Sequence, residues 1–184
     1  MLLFSEYDKS LENIYISQPV VDINLGDTNN YLVRFPKFKR VTHMILAFDA
    51  ENLFLKSKSS YGYFFNLESL LTDLEERENR GYFVVAVTSN SSSQKQYHPY
   101  PSGEQENFAT MHIESILEDH LPQIYGDYDV DVTNLKKIVM GASMGGLMSI
   151  KTGILNPSFE NIISLSPAFW FGFPGIVKDL NNLS

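Results

Sequence analysis

The chain has 184 residues, of which 43% are hydrophobic and 13% aromatic, so it can bury the core of a globular domain. Its net charge is −8, and it lacks the cluster of Lys and Arg that binding to nucleic acid requires. The absence of cysteine excludes disulfides and thiolate metal sites. The N-terminus does not read as a signal peptide, and no apolar run approaches the ~18 residues of a membrane span. We therefore expect a cytoplasmic protein with neither a nucleic-acid nor a membrane partner.

The first predicted elements are strands. The runs IYIS at 14–17 and NYLVRF at 30–35 are rich in β-formers and are separated by a Gly-Asp turn signal. Residues 41–50 (VTHMILAFDA) form a mostly apolar run of the kind found in a strand that is buried on both faces. The N-terminal third is therefore predicted to be rich in strands.

A helix is predicted at 66–80, where leucines recur at helical spacing. Asn66 is the expected N-cap and Gly81 the expected C-terminal stop. The acidic residues of this segment fall on the opposite face, which favours a solvated surface. Residues 82–90 (YFVVAVTSN) then predict another buried strand.

Strands and helices alternate through the rest of the chain. After a polar loop at 91–107, the predicted elements are a helix at 108–125 that bends near Pro122, a strand at 136–140, a helix at 147–155 and a strand at 161–166. This alternation predicts an α/β fold with a mainly parallel sheet and helices on both faces. The opening strands are expected to form an antiparallel margin of that sheet.

Residues 141–145 (GASMG) fit G-x-S-x-G and lie between a predicted strand and a predicted helix. A nucleophile elbow requires this order, because the sharp strand–helix turn exposes the serine hydroxyl above the sheet. The two glycines let strand and helix approach each other. Ser143 is therefore the candidate nucleophile, and the Met144 N–H points to where an oxyanion would form. The alternative is a glycine-rich turn with an incidental serine.

A second oxyanion donor is expected in the loop FDAENLF at 48–54, because in this architecture the loop after the third strand supplies it. We assign it to the backbone N–H of Glu51, with Ala50 as the neighbouring option. The alternative is that Asp49 and Asn52 only form an Asx-type turn. Both interpretations can hold together, since a backbone donor needs a fixed turn.

The segment GASMGGLMSIKTGILNPSFENIISLSPAFW at 141–170 resembles the region around the nucleophile in the putative esterase family of α/β-hydrolases. That family groups esterase D, enterochelin esterases, feruloyl esterases and mycolyltransferases. FDAENLF is similar to its Asp-Gly-x-x-x-Phe segment, with Ala50 in place of glycine, and HIESILEDHLPQIYGDY resembles its helix that ends in Leu/Ile-Pro. The resemblance covers about residues 41–171. It implies that Ser143 is the nucleophile and that Met144 and Glu51 supply the oxyanion-hole amides.

The resemblance also implies a triad in the chain order Ser, Asp or Glu, then His. All four histidines precede Ser143, and only Glu160 and Asp179 are acidic residues beyond it. In the family the acid and the base follow on two further strands. The resemblance therefore implies that 1–184 is a single, incomplete α/β-hydrolase domain, truncated at the C-terminus and lacking the last strands of its sheet.

Other residues are candidates for the missing roles. His98, in the long loop after the fourth strand, is the candidate base within the chain. His43 lies in a predicted buried strand and is expected to be a core histidine. His112 and His120 are expected at the surface or an interface, because their spacing does not match a metal motif such as HExxH. Asp179 is the candidate for the triad acid within the chain.

Three functions follow as hypotheses. The first is a serine carboxylic-ester hydrolase that acts on a small-molecule ester through an acyl-enzyme on Ser143, without a metal or cofactor. The second is acyl transfer to an alcohol, and the third is an inactive relic or binding module that keeps the hydrolase fold. Because the strand at 161–166 would be an exposed apolar edge, we also expect self-association through it.

Overall fold

The computed structural model of the chain describes residues 2–22, 25–37, 39–60, 62–90, 96–100 and 107–182. Most of the polar loop predicted at 91–107 lies outside these residues. The described strands, in chain order, are β1 Phe4–Glu6, β2 Ile14–Ser17, β3 Val20–Asp22, β4 Asp27–Asn29, β5 Tyr31–Arg34, β6 His43–Phe48, β7 Tyr82–Val87, β8 Lys136–Ala142 and β9 Phe159–Leu165. The described helices are α1 Leu67–Glu78, α2 Phe108–Ser115, α3 Leu121–Asp127, α4 Met144–Leu155, α5 Phe169–Gly172 and α6 Gly175–Asn181.

The main sheet of the described residues has seven strands in the order β1-β2-β5-β7-β6-β8-β9. The pairs from β1 to β7 are antiparallel, whereas β7, β6, β8 and β9 run parallel to one another. The predicted α/β class and its antiparallel N-terminal margin are therefore confirmed. The strand β1 and the separate hairpin β3–β4 were not predicted, because each strand has only three residues.

The two central strands, β6 and β7, are buried at every position. Along β6, Met44, Leu46 and Phe48 face a core under α2, α3 and α4. Ile45 and Ala47 face a second core, under α1. The sheet thus carries helices on both faces, as predicted, and each fully buried large side chain contributes about 1.5–3 kcal/mol.

Helix α1 begins and ends at residues with left-handed backbone. Asn66 occupies the predicted N-cap position, but its φ is 50° and its side chain makes no capping hydrogen bond. The C-cap is Asn79, with φ 52°, rather than Gly81. Asparagine tolerates this conformation better than most residues, which lets it end the helix two residues earlier than glycine would.

The prediction that the acidic residues of α1 lie on a solvated face is wrong for Glu68 and Glu75. Both are buried, and both pair with Arg34 of β5, whose side chain is fully buried. Arg34 Nη1 also donates to the carbonyl oxygen of Tyr82 at 2.9 Å. The buried guanidinium compensates the two carboxylates, so that face of α1 packs on the sheet instead of facing water.

The helix predicted at 108–125 is interrupted by a π-helical turn at Ile116–His120, which ends two residues before Pro122. Proline lacks the N–H that the regular helical pattern needs, so an irregular segment is expected near it, and the bend near Pro122 stays a prediction.

The prediction that His112 and His120 lie at a surface or interface is wrong. His112 is fully buried, with Nδ1 2.8 Å from Asp22 Oδ2, and His120 is 7% exposed, with Nδ1 2.5 Å from the Tyr31 hydroxyl. A polar partner on β3 or β5 meets Nδ1 of each ring inside the core, whereas Nε2 of His112 is buried without a hydrogen-bond partner among the described residues.

His43 is 9% exposed, and its Nδ1 lies 2.8 Å from Thr42 Oγ1, which confirms a core histidine. The described residues include no group of three or more side chains that could hold a metal ion.

Strand β9 forms one edge of the sheet, because within the described residues it pairs only with β8. Ile162 and Ile163 are 43% and 41% exposed there. The predicted strand at 161–166 is therefore an apolar edge. None of the described helices is long and apolar enough to span a membrane.

Candidate active site

Ser143 sits in the turn between β8 and α4 with φ 54° and ψ −117°, a conformation that costs a non-glycine residue about 1–3 kcal/mol. Backbone bonds hold it there: its N–H donates to Leu165 O at 3.0 Å, and its carbonyl oxygen accepts from Ala168 N at 2.9 Å. The predicted order of strand, sharp turn and helix is confirmed. The backbone strain falls on the serine itself, as a nucleophile elbow requires.

The glycines on either side of Ser143 have a steric purpose. A Cβ on Gly141 would overlap the carbonyl oxygen of Gly145, so strand and helix could not approach as closely. A Cβ on Gly145 would lie 2.5 Å from Asp49 Oδ2 and 3.2 Å from Phe48 Cβ. The turn therefore depends on both glycines of the motif, not on one alone.

The N–H of Met144 lies at the N-terminal end of α4. Met144 is the first residue of α4, and the first bonds of the helix run from Gly146 N and Leu147 N to Ser143 O, at 3.1 and 3.3 Å. The N–H groups before them have no acceptor within the helix. The helix N-terminus also favours negative charge at this place.

The loop after β6 forms a 3₁₀ turn at Ala50–Asn52, preceded by Asp49 with φ 58°. The N–H groups of Ala50 and Glu51 are the first donors of this turn and have no acceptor within it. The positive φ belongs to Asp49, so Ala50 can replace the family's glycine. The side chain of Asp49 makes no capping hydrogen bond, so the alternative of an Asx-type turn formed by Asp49 and Asn52 is wrong for Asp49.

The Glu51 side chain anchors this loop to the neighbouring strand. Its carboxylate accepts a hydrogen bond from Ser89 N at 3.1 Å and a second from Ser89 Oγ. Asn52 Oδ1 accepts from Ser59 Oγ and Ser60 N, each at 3.1 Å. The backbone of Glu51 is thereby held at a fixed place beside the elbow.

A pocket of about 430 Å³ brings the predicted site residues together: Ser143, Met144 and Glu51 all line it. Asp49, Ser89 and Leu165 also line it, and each follows or ends a strand of the parallel part of the sheet. Ser89 was missed by sequence analysis. The signal that would have found it is its position at the carboxyl end of a parallel strand, where α/β folds bind ligands.

The pocket has an aromatic wall and rim. Tyr97, 1% exposed, lines it together with Phe65 and Tyr63, which are 45% and 85% exposed. The aromatics after β9 behave differently. Trp170 and Phe173 are 77% and 69% exposed and do not line this pocket in the described structure.

His98 and Asp179 are engaged elsewhere. His98 Nε2 lies 2.8 Å from the carbonyl oxygen of Phe171, whose ring contacts the imidazole edge-on. Asp179 pairs with Lys151 at 2.7 Å. Neither residue lines the pocket, and Ser143 Oγ makes no hydrogen bond to any described residue.

The electrostatics of the pocket are set by two neighbouring carboxyl groups. Burial, followed by the nearby charge of Glu51, raises the pKa of Asp49 to about 7. A carboxyl with this pKa is partly protonated at neutral pH.

A mixed sheet whose central strands are parallel, with helices on both faces and a strained serine between a strand and a helix, is the architecture of an α/β-hydrolase. The chain belongs to the putative esterase family, whose model matches residues 25–174. Comparison with curated protein sequences gives no match.

Several solved structures are similar to this one in fold. The BES protein from Bacillus cereus has a TM-score of 0.73 at 16% identity, with 97% of this chain and 70% of that chain covered. Siderophore hydrolase EstB from Aspergillus nidulans has a TM-score of 0.71 at 17% identity, covering 97% and 64%. Siderophore hydrolase EstA from the same organism has a TM-score of 0.68 at 15% identity, covering 97% and 65%. This chain therefore spans just under two thirds of the two siderophore hydrolases.

Proposed function

We propose that the chain is a serine carboxylic-ester hydrolase whose nucleophile is Ser143. The observation that carries the proposal is the meeting of a strained serine with two sets of unpaired backbone donors in one pocket. In this mechanism, Ser143 Oγ bonds to the ester carbonyl carbon while a base takes its proton, and the alcohol leaves. Water then hydrolyses the acyl-enzyme and frees the serine.

The carbonyl oxygen becomes an oxyanion in each tetrahedral intermediate. The amides of Met144 and Glu51 are the proposed donors, with Ala50 as the neighbouring option. They come from different elements, and the anchoring of Glu51 to Ser89 supports a fixed distance between them. Removing one such donor typically costs about 10²–10³ in kcat.

The mechanism needs a base for the serine proton. Within this chain the candidate is His98, which must leave the carbonyl of Phe171 before its Nε2 can accept that proton. The alternative source is a residue outside this chain. The variant His98→Ala separates the two: loss of Ser143-dependent turnover supports His98, and unchanged turnover supports the outside source.

We further propose that the acyl group is aromatic. Tyr97, Phe65 and Tyr63 line the pocket, and offset or edge-on contacts between rings add about 0.5–1.5 kcal/mol beyond their buried area. The similar enterobactin esterase FES from Shigella flexneri was solved in the presence of 2,3-dihydroxy-N-benzoyl-serine, which carries such a ring. Esters whose acyl group carries a hydroxybenzoyl ring, such as esters of N-hydroxybenzoyl-serine, are therefore the first substrates to test.

The test is steady-state hydrolysis of nitrophenyl esters with acetyl, octanoyl and benzoyl groups, and of a hydroxybenzoyl-serine ester. Wild type is compared with Ser143→Ala. We expect turnover that disappears in the variant and a higher kcat/KM for the aromatic acyl groups. The inactive-relic alternative gains support if the folded wild type shows no turnover above the variant. Added alcohol that diverts the acyl group from water supports the acyltransferase alternative.

We also propose that a second copy of the chain pairs with the free edge of β9. An antiparallel pair centred between Ile162 and Ile163 would place Glu160 opposite Leu165, so like charges would not face each other. Exposed apolar edge strands favour this kind of association.

A further inference from the structure

Asp49 is placed at the point where the two halves of the oxyanion hole meet. It follows the last residue of β6 and directly precedes the 3₁₀ turn that carries the N–H groups of Ala50 and Glu51. Its Oδ2 rests against the first turn of α4, where a Cβ on Gly145 would come within 2.5 Å of it. The Asp49 carboxyl therefore lies against both backbone segments that supply the donors, and it lines the pocket that contains Ser143.

The surroundings of this carboxyl favour its neutral form. No hydrogen bond to its oxygens is found among the described residues. Burial and the charge of Glu51 raise the pKa of Asp49 to about 7, and Glu51 itself is committed to Ser89. Burial without a compensating charge raises the free energy of the carboxylate, so the protonated form of Asp49 is favoured.

The other groups that face Asp49 do not offset a negative charge. Its own N–H donates to the Tyr97 hydroxyl at 3.4 Å, and burial raises the pKa of Tyr97 well above its usual value, so this group is neutral. The first turn of α4 is Met-Gly-Gly and brings only its backbone dipoles. Ser143 on the elbow is uncharged, and Tyr63 lies at the exposed rim. Among the described residues that line the pocket there is no cation for Asp49 to pair with.

We propose that Asp49 acts as a carboxylic acid that donates a hydrogen bond to the oxyanion, beside the amides of Met144 and Glu51. This role rests on the proposed ester hydrolysis. The proton stays on Asp49 throughout: as the bond from Ser143 Oγ to carbon forms, the carbonyl electron pair moves to oxygen, and the acid donates to that oxygen. A neutral carboxylic acid used as an oxyanion donor has precedent in other enzymes.

The protonated and ionised forms have opposite effects on the reaction. The acid donates to the developing negative charge, whereas the carboxylate repels it from the same position. Because the pKa of Asp49 is about 7, the active form predominates below pH 7 and is lost above it. Turnover should therefore fall about tenfold for each pH unit above that value, after correction for the base.

Asp49→Asn is the matched variant. Asparagine has the same shape, keeps an N–H donor and tolerates the left-handed backbone of this position, but it does not titrate. We expect wild type to lose kcat/KM from pH 7 to pH 9 relative to Asp49→Asn, and we expect the ratio of the two rates to follow one ionisation. Asp49→Ala, which has no donor, should lose about 10²–10³ in kcat with little change in KM.

Carboxyl carbon NMR supplies a readout that does not depend on activity. The Asp49 signal, assigned by its absence in Asp49→Asn, should titrate near pH 7. A midpoint near 4 overturns the inference, as do identical pH profiles for wild type and Asp49→Asn. If hydrolysis depends on Ser143 but Asp49→Ala retains full kcat, this inference fails and the proposed function stands. If wild type shows no hydrolysis that depends on Ser143, both fail.

Discussion

Removal of the Glu75 carboxylate should destabilise the fold far more than removal of an exposed glutamate of the same helix. Glu75 is 1% exposed, and its carboxylate binds Arg34 through Nη1 and through Nη2, the latter at 3.2 Å. It also accepts from the backbone N–H of Tyr82 at 3.1 Å. Glu75→Ala leaves the fully buried guanidinium of Arg34 with Glu68 as its only carboxylate partner among the described residues.

The size of the effect follows from these contacts. Removing one partner of a buried ion pair lowers the free energy of unfolding by about 3–5 kcal/mol, because the remaining charge stays desolvated. The exposed neighbour Glu76 is the matched control, and Glu76→Ala should change the free energy of unfolding by less than about 0.5 kcal/mol. Glu75→Gln, which keeps the contact with Tyr82 but not the charge, should fall between them.

The assay is urea unfolding followed by far-ultraviolet circular dichroism, with the slope m compared among the variants. A lower midpoint at unchanged m for Glu75→Ala would bear out the reasoning. If Glu75→Ala and Glu76→Ala differ by less than 1 kcal/mol, the buried cluster does not have the energetic role assigned to it.

Three further predictions concern the elbow, the pocket and the sheet edge. Gly141→Ala should abolish Ser143-dependent turnover and lower the melting temperature, because its Cβ would overlap the backbone of Gly145. The control is Gly126→Ala, whose Cβ meets no atom within 4 Å; it should leave turnover unchanged and leave the melting temperature unchanged or raised. Folding raises the pKa of Asp49 from 3.8 to about 7, so the protonated form stabilises the fold and this stabilisation is lost as the pH rises from 4 to 7. In urea unfolding at a series of pH values, the free energy of unfolding of wild type should fall by up to about 4 kcal/mol over that range relative to Asp49→Asn. Equal losses in the two proteins would refute this. Ile163→Lys should lower the mass measured by light scattering at high concentration, whereas Leu70→Lys, at a helix position that is also exposed, should not. A wild type that is monomeric throughout contradicts the edge pairing.

The sheet and the elbow could be predicted because their signals are local. Long apolar runs such as 41–50 specify buried strands, and G-x-S-x-G between a strand and a helix specifies the turn that strains Ser143. The three-residue strands of the β3–β4 hairpin have no such signal, since their pairing is set by contacts made elsewhere in the fold.

The buried polar residues could not be predicted because their partners are distant in sequence. Glu75 is buried only because Arg34 arrives from a strand 41 residues away, and His112 because Asp22 lies 90 residues away. Helical periodicity alone places an acidic residue in solvent and cannot anticipate a buried guanidinium. The same holds for the pocket: Tyr63 and Phe65 reach it through the fold of the loop after β6.

The account's central claim, that Ser143 is an activated nucleophile, is tested most directly by a fluorophosphonate probe. The folded chain is treated with the probe, and the adduct is located by mass spectrometry of its peptides, beside Ser143→Ala. We predict one adduct per chain, on the peptide that contains Ser143, and none in the variant. An unlabelled folded wild type, or an adduct that persists in Ser143→Ala, would contradict the claim.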